Sequence, residues 1–189
     1  LKKPSLKDEI YNHILPLYDR EGEIDTDSHF SKFLKHWIDE GRPEVFINLI
    51  RDKEFISYKT KESEVTFRGI ANEIYYPSSE LEEYFELKID TKFVDIEDYY
   101  LFIEEEQDRK NVRDFLIKLG VSTLPRIFSQ EITDPKVKEG LRLSASTYGY
   151  ADRNKTIDKV IDGCKEILSN ICARKSLLLW NYLGQLTQS

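Results

Sequence analysis

Residues 55–70 read FISYKTKESEVTFRGI. Two short runs rich in β-branched and aromatic residues, FISYKT (55–60) and EVTFRGI (64–70), flank the polar tripeptide KES (61–63). That pattern predicts an antiparallel hairpin. The segments on either side repeat their apolar residues at helical spacing, so the hairpin is the nucleus of a small sheet set among helices. The expected class is therefore α+β, predominantly helical with a small central antiparallel sheet.

Outward toward the N-terminus, PEVFINLIRD (43–52) reads as a short helix with Pro43 in its first turn. Before it, Phe30, Phe33, Leu34, Trp37 and Ile38 fall at i, i+3, i+4, i+7 and i+8, one apolar stripe. Asp27 or Ser28 can cap that helix, and Gly41 follows its end. A first helix opens at Ser5 with Asp8 three residues on, a capping-box pattern, and carries Leu6, Ile10, Ile14 and Leu17 until Pro16 kinks or ends it.

Outward toward the C-terminus, NEIYYP (72–77) reads as a strand stopped by Pro77, and Ser78 or Ser79 caps a helix whose Leu81, Tyr84 and Phe85 share a face. KFVDI (92–96) is a further strand. Val112, Phe115, Leu116 and Leu119 define a helix with Gly120 as its stop, and TLPRIF (123–128) is a turn before a short helix at PKVKEGLRLS (135–144). Ile157, Val160, Ile161, Cys164, Ile167, Leu168 and Ile171 predict four turns of helix, followed by a last helix bearing Leu177, Leu178, Leu179, Trp180 and Leu183. The expected divisions are a helical subdomain over 1–54, a mixed sheet and helix region over 55–103 and a helical subdomain over 104–189.

Composition narrows the function classes. With 189 residues, 11 Tyr, 10 Phe and 2 Trp, the chain can fill a core. No apolar run approaches the ~20 residues of a membrane-spanning helix, and LKKPSLKDEI (1–10) has no apolar stretch of secretory-signal length. Two cysteines exclude a disulfide scaffold. The chain opens at Leu1 and contains no methionine, which reads as a module of a larger cytoplasmic protein. Residues 61–110 hold 15 acidic against 6 basic side chains, whereas 111–189 hold 12 basic against 8 acidic. A net charge of −7 disfavours nucleic acid as the partner of the whole surface and leaves only the last third as a basic face. Its footprint would be Arg126, Lys136, Lys138, Arg142, Arg153 and Lys155, the alternative reading of a nucleic-acid-binding module.

Chemical motifs are sparse. His29 and His36 are seven apart but flank an apolar stripe, so they read as surface or boundary residues, and neither HExxH nor CxxC accompanies them. Cys164 sits on an apolar stripe and reads as a structural thiol, and Cys172 has no histidine near it in sequence. Acidic clusters at 21–27, 80–86 and 104–108 read as solvated faces and helix N-termini. A carboxylate-based hydrolase is the third alternative and would need two buried, convergent acids of raised pKa. FRGIANE (67–73) and VIDGCKE (160–166) each have a single glycine, too few for a phosphate-cradling loop. No catalytic residue, cofactor or metal is expected. Tyr-rich runs remain, EIYYP, DYYLF and STYGYADR, and they nominate Tyr75, Tyr76, Tyr99, Tyr100, Tyr148 and Tyr150 as partner contacts.

Three strings carry a resemblance: EIYYPSSELEEYFEL (73–87), FVDIEDYY (93–100) and RKNVRDFLIKLGVSTLPRI (109–127). Their order, a Tyr-Pro strand, a Leu…Tyr-Phe helix, an acidic connector and a helix ending Leu-Gly-Val, resembles the region after the ATPase domain in sacsin-like proteins. TIDKVIDGCKEILSN (156–170) and KSLLLWNYL (175–183) are similar to paired helices of that region. The resemblance covers about 70–183 and leaves 1–60 uncovered. It implies a non-catalytic regulatory or protein-interaction module whose partners are other domains of the parent polypeptide, an ATPase domain first, or a protein client. The Asn box and Asp-x-Gly-x-Gly loop of the family's ATPase domain have no match, since IDGC (161–164) lacks the second glycine.

Overall fold

The computed structural model describes residues 4–19, 26, 28–100, 105–131, 133–136, 139 and 157–186. It is α+β, mostly helical, with one three-stranded and one two-stranded antiparallel sheet. The chain divides into two compact units, residues 1–82 with 88–123 and residues 83–87 with 124–189. That partition differs from the three sequence segments: residues up to 123 pack with the N-terminal half, and a five-residue piece of the middle region belongs to the second unit.

In the first unit the Ser5 and Asp8 capping box forms, opening α1 (Leu6–Glu9). The same helix widens to π pitch over Ile10–Ile14 and tightens to a 3₁₀ turn over Leu15–Asp19. Pro16 accounts for the change of pitch, because it donates no bond and its ring crowds the carbonyl four residues back. The next helix, α2 (His29–Asp39), turns Phe30, Phe33 and Trp37 inward together with His29 and His36. Both histidines are thus buried, against the boundary positions expected. Aromatic neighbours make this possible. The Tyr18 hydroxyl meets His29 Nδ1 at 2.8 Å, and His36 lies edge-on to Tyr11 and Phe46. Ser28 occupies the cap position of α2 without a side-chain cap bond. Pro43 lies one position before α3 (Glu44–Ile50) rather than inside it.

The hairpin comprises β1 (Ile56–Thr60) and β2 (Ser63–Gly69), joined by Lys61 and Glu62. Ser63 pairs with Thr60, so the connection is one residue tighter than the KES tripeptide, and a register shift between Tyr58 and Thr60 absorbs the difference. A short β3 (Phe93–Val94) adds on the other side of β1, giving the order β2-β1-β3. The strand expected at NEIYYP is shorter than predicted: Ala71–Glu73 is a 3₁₀ turn, and Tyr75 alone bridges Phe93 and Ser122. Its backbone accepts from Val94 N–H and donates to Lys92 O, both at 2.9 Å.

Ser78 caps α4 (Ser79–Tyr84) through Leu81 N–H, and Leu81, Tyr84 and Phe85 are buried as their spacing predicts. A helix the sequence did not announce, α5 (Ile96–Tyr100), follows β3 directly. Next, α6 (Glu106–Leu119) buries Val112, Phe115, Leu116 and Leu119 and ends on Gly120 at φ 115°. Phe115 packs on Phe30 and Trp37, which ties α6 to the core built by α2. Each such buried apolar side chain contributes ~1.5–3 kcal/mol relative to an exposed one.

The second unit corrects three expectations. TLPRIF leads into a strand, β4 (Ile127–Glu131), and the first turn and more of the predicted four-turn helix is β5 (Ile157–Ile161). The two pair antiparallel from Ile127 with Ile161 to Glu131 with Ile157. Helical spacing misled because Ile157, Val160 and Ile161 are β-branched and their pairing partner lies far off in sequence. Gly163 at φ 72° then breaks the pattern, and only Cys164–Ser169 is helical (α7). On the last helix, α8 (Ala173–Leu186), Lys175, Leu178 and Tyr182 face inward. Leu177 and Trp180 are 61% and 69% exposed, so the buried stripe is rotated from the one expected. Among the described residues no helix is long and apolar enough to cross a membrane.

Candidate functional site

Consecutive tyrosines on an extended chain point to opposite faces, and on a helix they point about 100° apart. Both Tyr-Tyr pairs of the first unit obey this, and each sends one ring inward. Tyr75 is buried, with its ring against Phe93. Tyr99 packs 4.1 Å from Phe30, and its hydroxyl accepts the Ser57 N–H at 2.7 Å. Burial pushes the Tyr99 phenol up to about 12, against the lowering effect of the Ser57 bond. Of these two nominated tyrosines, Tyr75 is buried and Tyr99 is half-buried against the core.

The other member of each pair, Tyr76 and Tyr100, is half-buried at the edge of the core, and the two meet. Tyr76 Oη lies 3.1 Å from Tyr100 Oη, and Tyr100 donates to the Arg109 carbonyl at 3.3 Å. A phenol has one proton, so Tyr76 is the donor to Tyr100. Burial and then this bond hold the Tyr76 phenol well above its ordinary value, and it stays neutral.

Four residues apart on α6, Arg109 and Arg113 share a face. The Arg109 guanidinium sits 5.4 Å from the Tyr100 ring centre and that of Arg113 sits 5.5 Å from the Tyr76 ring centre. An open groove of about 660 Å³ runs beside them, lined by Tyr100, Glu106, Gln107, Arg109, Lys110 and Arg113. Its volume falls in the range of ligand sites. One wall is held from behind. Gln107 Nε2 donates to Asn111 Oδ1 at 3.3 Å, and the same oxygen accepts Arg42 Nη2 at 2.8 Å. Asn111 is buried, so Gln107 is oriented from the core side.

A second polar cluster lies on the sheet. Ser57 Oγ donates to Asp98 at 2.5 Å and accepts from Arg68, whose guanidinium also reaches Asp98 and the Thr26 hydroxyl. Asp95 caps α5 by accepting Asp98 N–H and takes further bonds from Thr66 and Lys59 at 2.7 and 2.9 Å. Burial works to raise the Asp95 carboxyl, but the Thr66 and Lys59 bonds outweigh it and hold it below the ordinary carboxylate range. Asp95 is therefore a charged, saturated acceptor. The network cements β1, β2 and α5.

The groove residues on α6 were missed in the sequence as functional candidates. The signal was present, since RKNVR (109–113) places Arg109 and Arg113 on one helical face, but their aromatic partners come from other elements. Of the basic footprint of the last third, Arg126 and Lys136 are among the described residues. Arg126 is half-buried with its carbonyl bonded to Asp162 N–H, and Lys136 is exposed beside Asp134. Lys138, Arg142, Arg153, Lys155, Tyr148 and Tyr150 lie outside the described residues. Cys164 is half-buried and its thiol is pushed up, first by burial and then by Glu166, while Cys172 is exposed. Among the described residues no group of three or more His, Cys, Asp or Glu is placed to hold a metal ion. No protein-family model, curated protein or solved structure significantly matches the chain.

Proposed function

We propose that this chain is a protein-interaction module and that the groove between Tyr100 and α6 is its contact surface. One observation carries the reading: two guanidinium groups, each laid on a tyrosine ring, border an open groove whose Gln107 wall is fixed from the buried side. Arg and Tyr together are the residues most enriched at the energetic centres of protein interfaces. Cation–aromatic contact restrains each guanidinium before a partner arrives, which lowers the entropy cost of binding.

The resemblance to the segment after the ATPase domain of sacsin-like proteins suggests the partner: another domain of the same polypeptide, with the groove reporting or modulating its ATPase state. The test is ATP turnover by the full-length protein, wild type against Lys110→Gln with Arg113→Gln and against a deletion of 70–183. Turnover changed at least severalfold by both alterations supports the module reading. Turnover unchanged by both overturns it.

A further inference from the structure

We infer that the second unit carries a docking site for a short partner peptide of the order acid, aromatic, aromatic, acid, and that Glu83–Leu87 of the chain itself occupies that site as an autoinhibitory strap. The inference goes beyond the α6 groove, whose residues all belong to the first unit.

The partition of the chain is the first argument. Residues Glu83–Leu87 cluster with 124–189, while 1–82 and 88–123 on either side of them belong to the first unit. A segment from elsewhere in the sequence therefore completes the second unit's core. Its two rings do so: Tyr84 and Phe85 are fully buried, and Tyr84 stands edge-on to Tyr182 with ring centres 5.3 Å apart. Both rings also close on Gly163, where a Cβ would meet Phe85 at 2.6 Å and Tyr84 at 3.0 Å. A bare Cα is what admits two rings so closely.

Charge is the second argument. Glu83 pairs with Arg174 and Glu86 with Lys175, both at 2.6 Å. One carboxylate on each side of the aromatic pair thus meets one of two consecutive cations at the start of α8. The two contacts are unequal. Arg174 is exposed, and an exposed pair contributes little. Lys175 is buried, and an occupant without the second acid leaves its ammonium uncompensated, which costs more than the pair itself gains. The rings supply apolar burial, and the carboxylate at position 86 selects among aromatic segments.

A tethered segment competes at an effective concentration on the order of millimolar. A partner bearing the same motif therefore binds weakly until the strap loosens, because its affinity scales with the fraction of open sites.

Fluorescence anisotropy on the full chain tests this, with a labelled peptide of residues 78–90, SSELEEYFELKID, as the probe. Glu86→Gln in the chain weakens the strap and leaves the rest of the site in place. That variant should bind the peptide about tenfold tighter than wild type does, because the strap loses a charge-assisted contact and the peptide keeps it. Peptides carrying Glu86→Gln, or Tyr84→Ser with Phe85→Ser, should lose that gain. Hydrogen exchange over 157–186 reads the second unit directly: protection should fall in Glu86→Gln and return when the wild-type peptide is added. Glu83→Gln, at the exposed pair, should fold normally and show a smaller gain, so the test survives a Glu86→Gln chain that does not fold. Equal affinity of the peptide for wild type and both variants, or binding to none of them, overturns the inference. Equal binding of all three peptides does the same. A wild-type chain that dimerises with rising concentration and excludes the peptide overturns it in favour of segment exchange between copies. None of these results depends on turnover in Lys110→Gln with Arg113→Gln, so the groove reading stands or falls separately.

Discussion

Arg42 lies over the indole of Trp37, with its guanidinium carbon 5.1 Å from the ring centre. The chain reverses to make the contact. Gly41 and Arg42 both adopt left-handed backbone, at φ 78° and 64°, and Arg42 N–H bonds back to Trp37 O at 2.7 Å. From there the side chain crosses to α6, bonding Asn111 and pairing with Asp114 at 3.7 Å. One residue thus closes α2, covers a core tryptophan and steadies the helix that forms the groove.

The left-handed backbone at Arg42 costs an ordinary residue roughly 1 kcal/mol that glycine does not pay. Arg42→Ala keeps this cost and loses the stack and the Asn111 bond, so a loss of about 2 kcal/mol is expected. Arg42→Gly should be about 1 kcal/mol less harmful than Arg42→Ala. Urea unfolding followed by tryptophan fluorescence gives both values. Equal losses would show that no strain is held at this position.

Gly163 is the most closely approached of the described glycines. A Cβ built there meets the Phe85 ring at 2.6 Å, and its φ is 72°. Gly163→Ala combines left-handed strain with overpacking and should cost about 3 kcal/mol. Peptide-resolved hydrogen exchange should show lost protection first over 157–186. Unchanged protection there would contradict the packing described.

Burial holds the His36 imidazole below its ordinary value, with Lys7 adding to the shift and Glu40 and Asp39 opposing it. The unfolded chain therefore binds a proton at higher pH than the folded one. Stability should fall as pH drops through 6.5, the ordinary value, toward the folded value, and be unaffected by this group above it. His36→Phe should flatten that part of the curve of melting temperature against pH. A curve of the same slope in both proteins would assign the dependence to other groups.

Asp95 has the opposite titration order. Its folded carboxyl lies below the ordinary value, so its contribution is present above about pH 4 and is lost as pH falls through the folded value. Asp95→Asn should cost about 1–2 kcal/mol near neutrality, through the weakened α5 cap and the loss of Lys59's partner. Once the pH is below the folded value, the variant and wild type should converge. A constant difference down to acid would mean that shape, not charge, carries the effect.

Local pattern was sufficient wherever a segment's own residues set its structure. The Ser5 capping box, the α2 stripe, the hairpin, the Ser78 cap and the Gly120 stop follow from interactions within a few residues, and the sequence shows them directly. The six tyrosines were nominated as a set because composition does not tell one ring of a Tyr-Tyr pair from the other. The alternation was foreseeable, but which face met the core depended on where Phe30 and Phe93 came to lie.

An α+β chain of mostly amphipathic helices around a hairpin is legible in the order of residues alone, because periodicity and capping are short-range and apolar spacing reports which face is buried. Tertiary structure alone decided that Ile157–Ile161 is a strand, since β4 supplies its partner from 26 to 34 residues away. It alone buried His29 and His36 among aromatic rings, and it alone brought the guanidiniums of α6 over tyrosines from α5 and from the chain before α4. The physical reason is common to all three. Strand pairing, burial of a polar ring and cation–aromatic stacking are made between segments distant in sequence, and no local pattern encodes the partner.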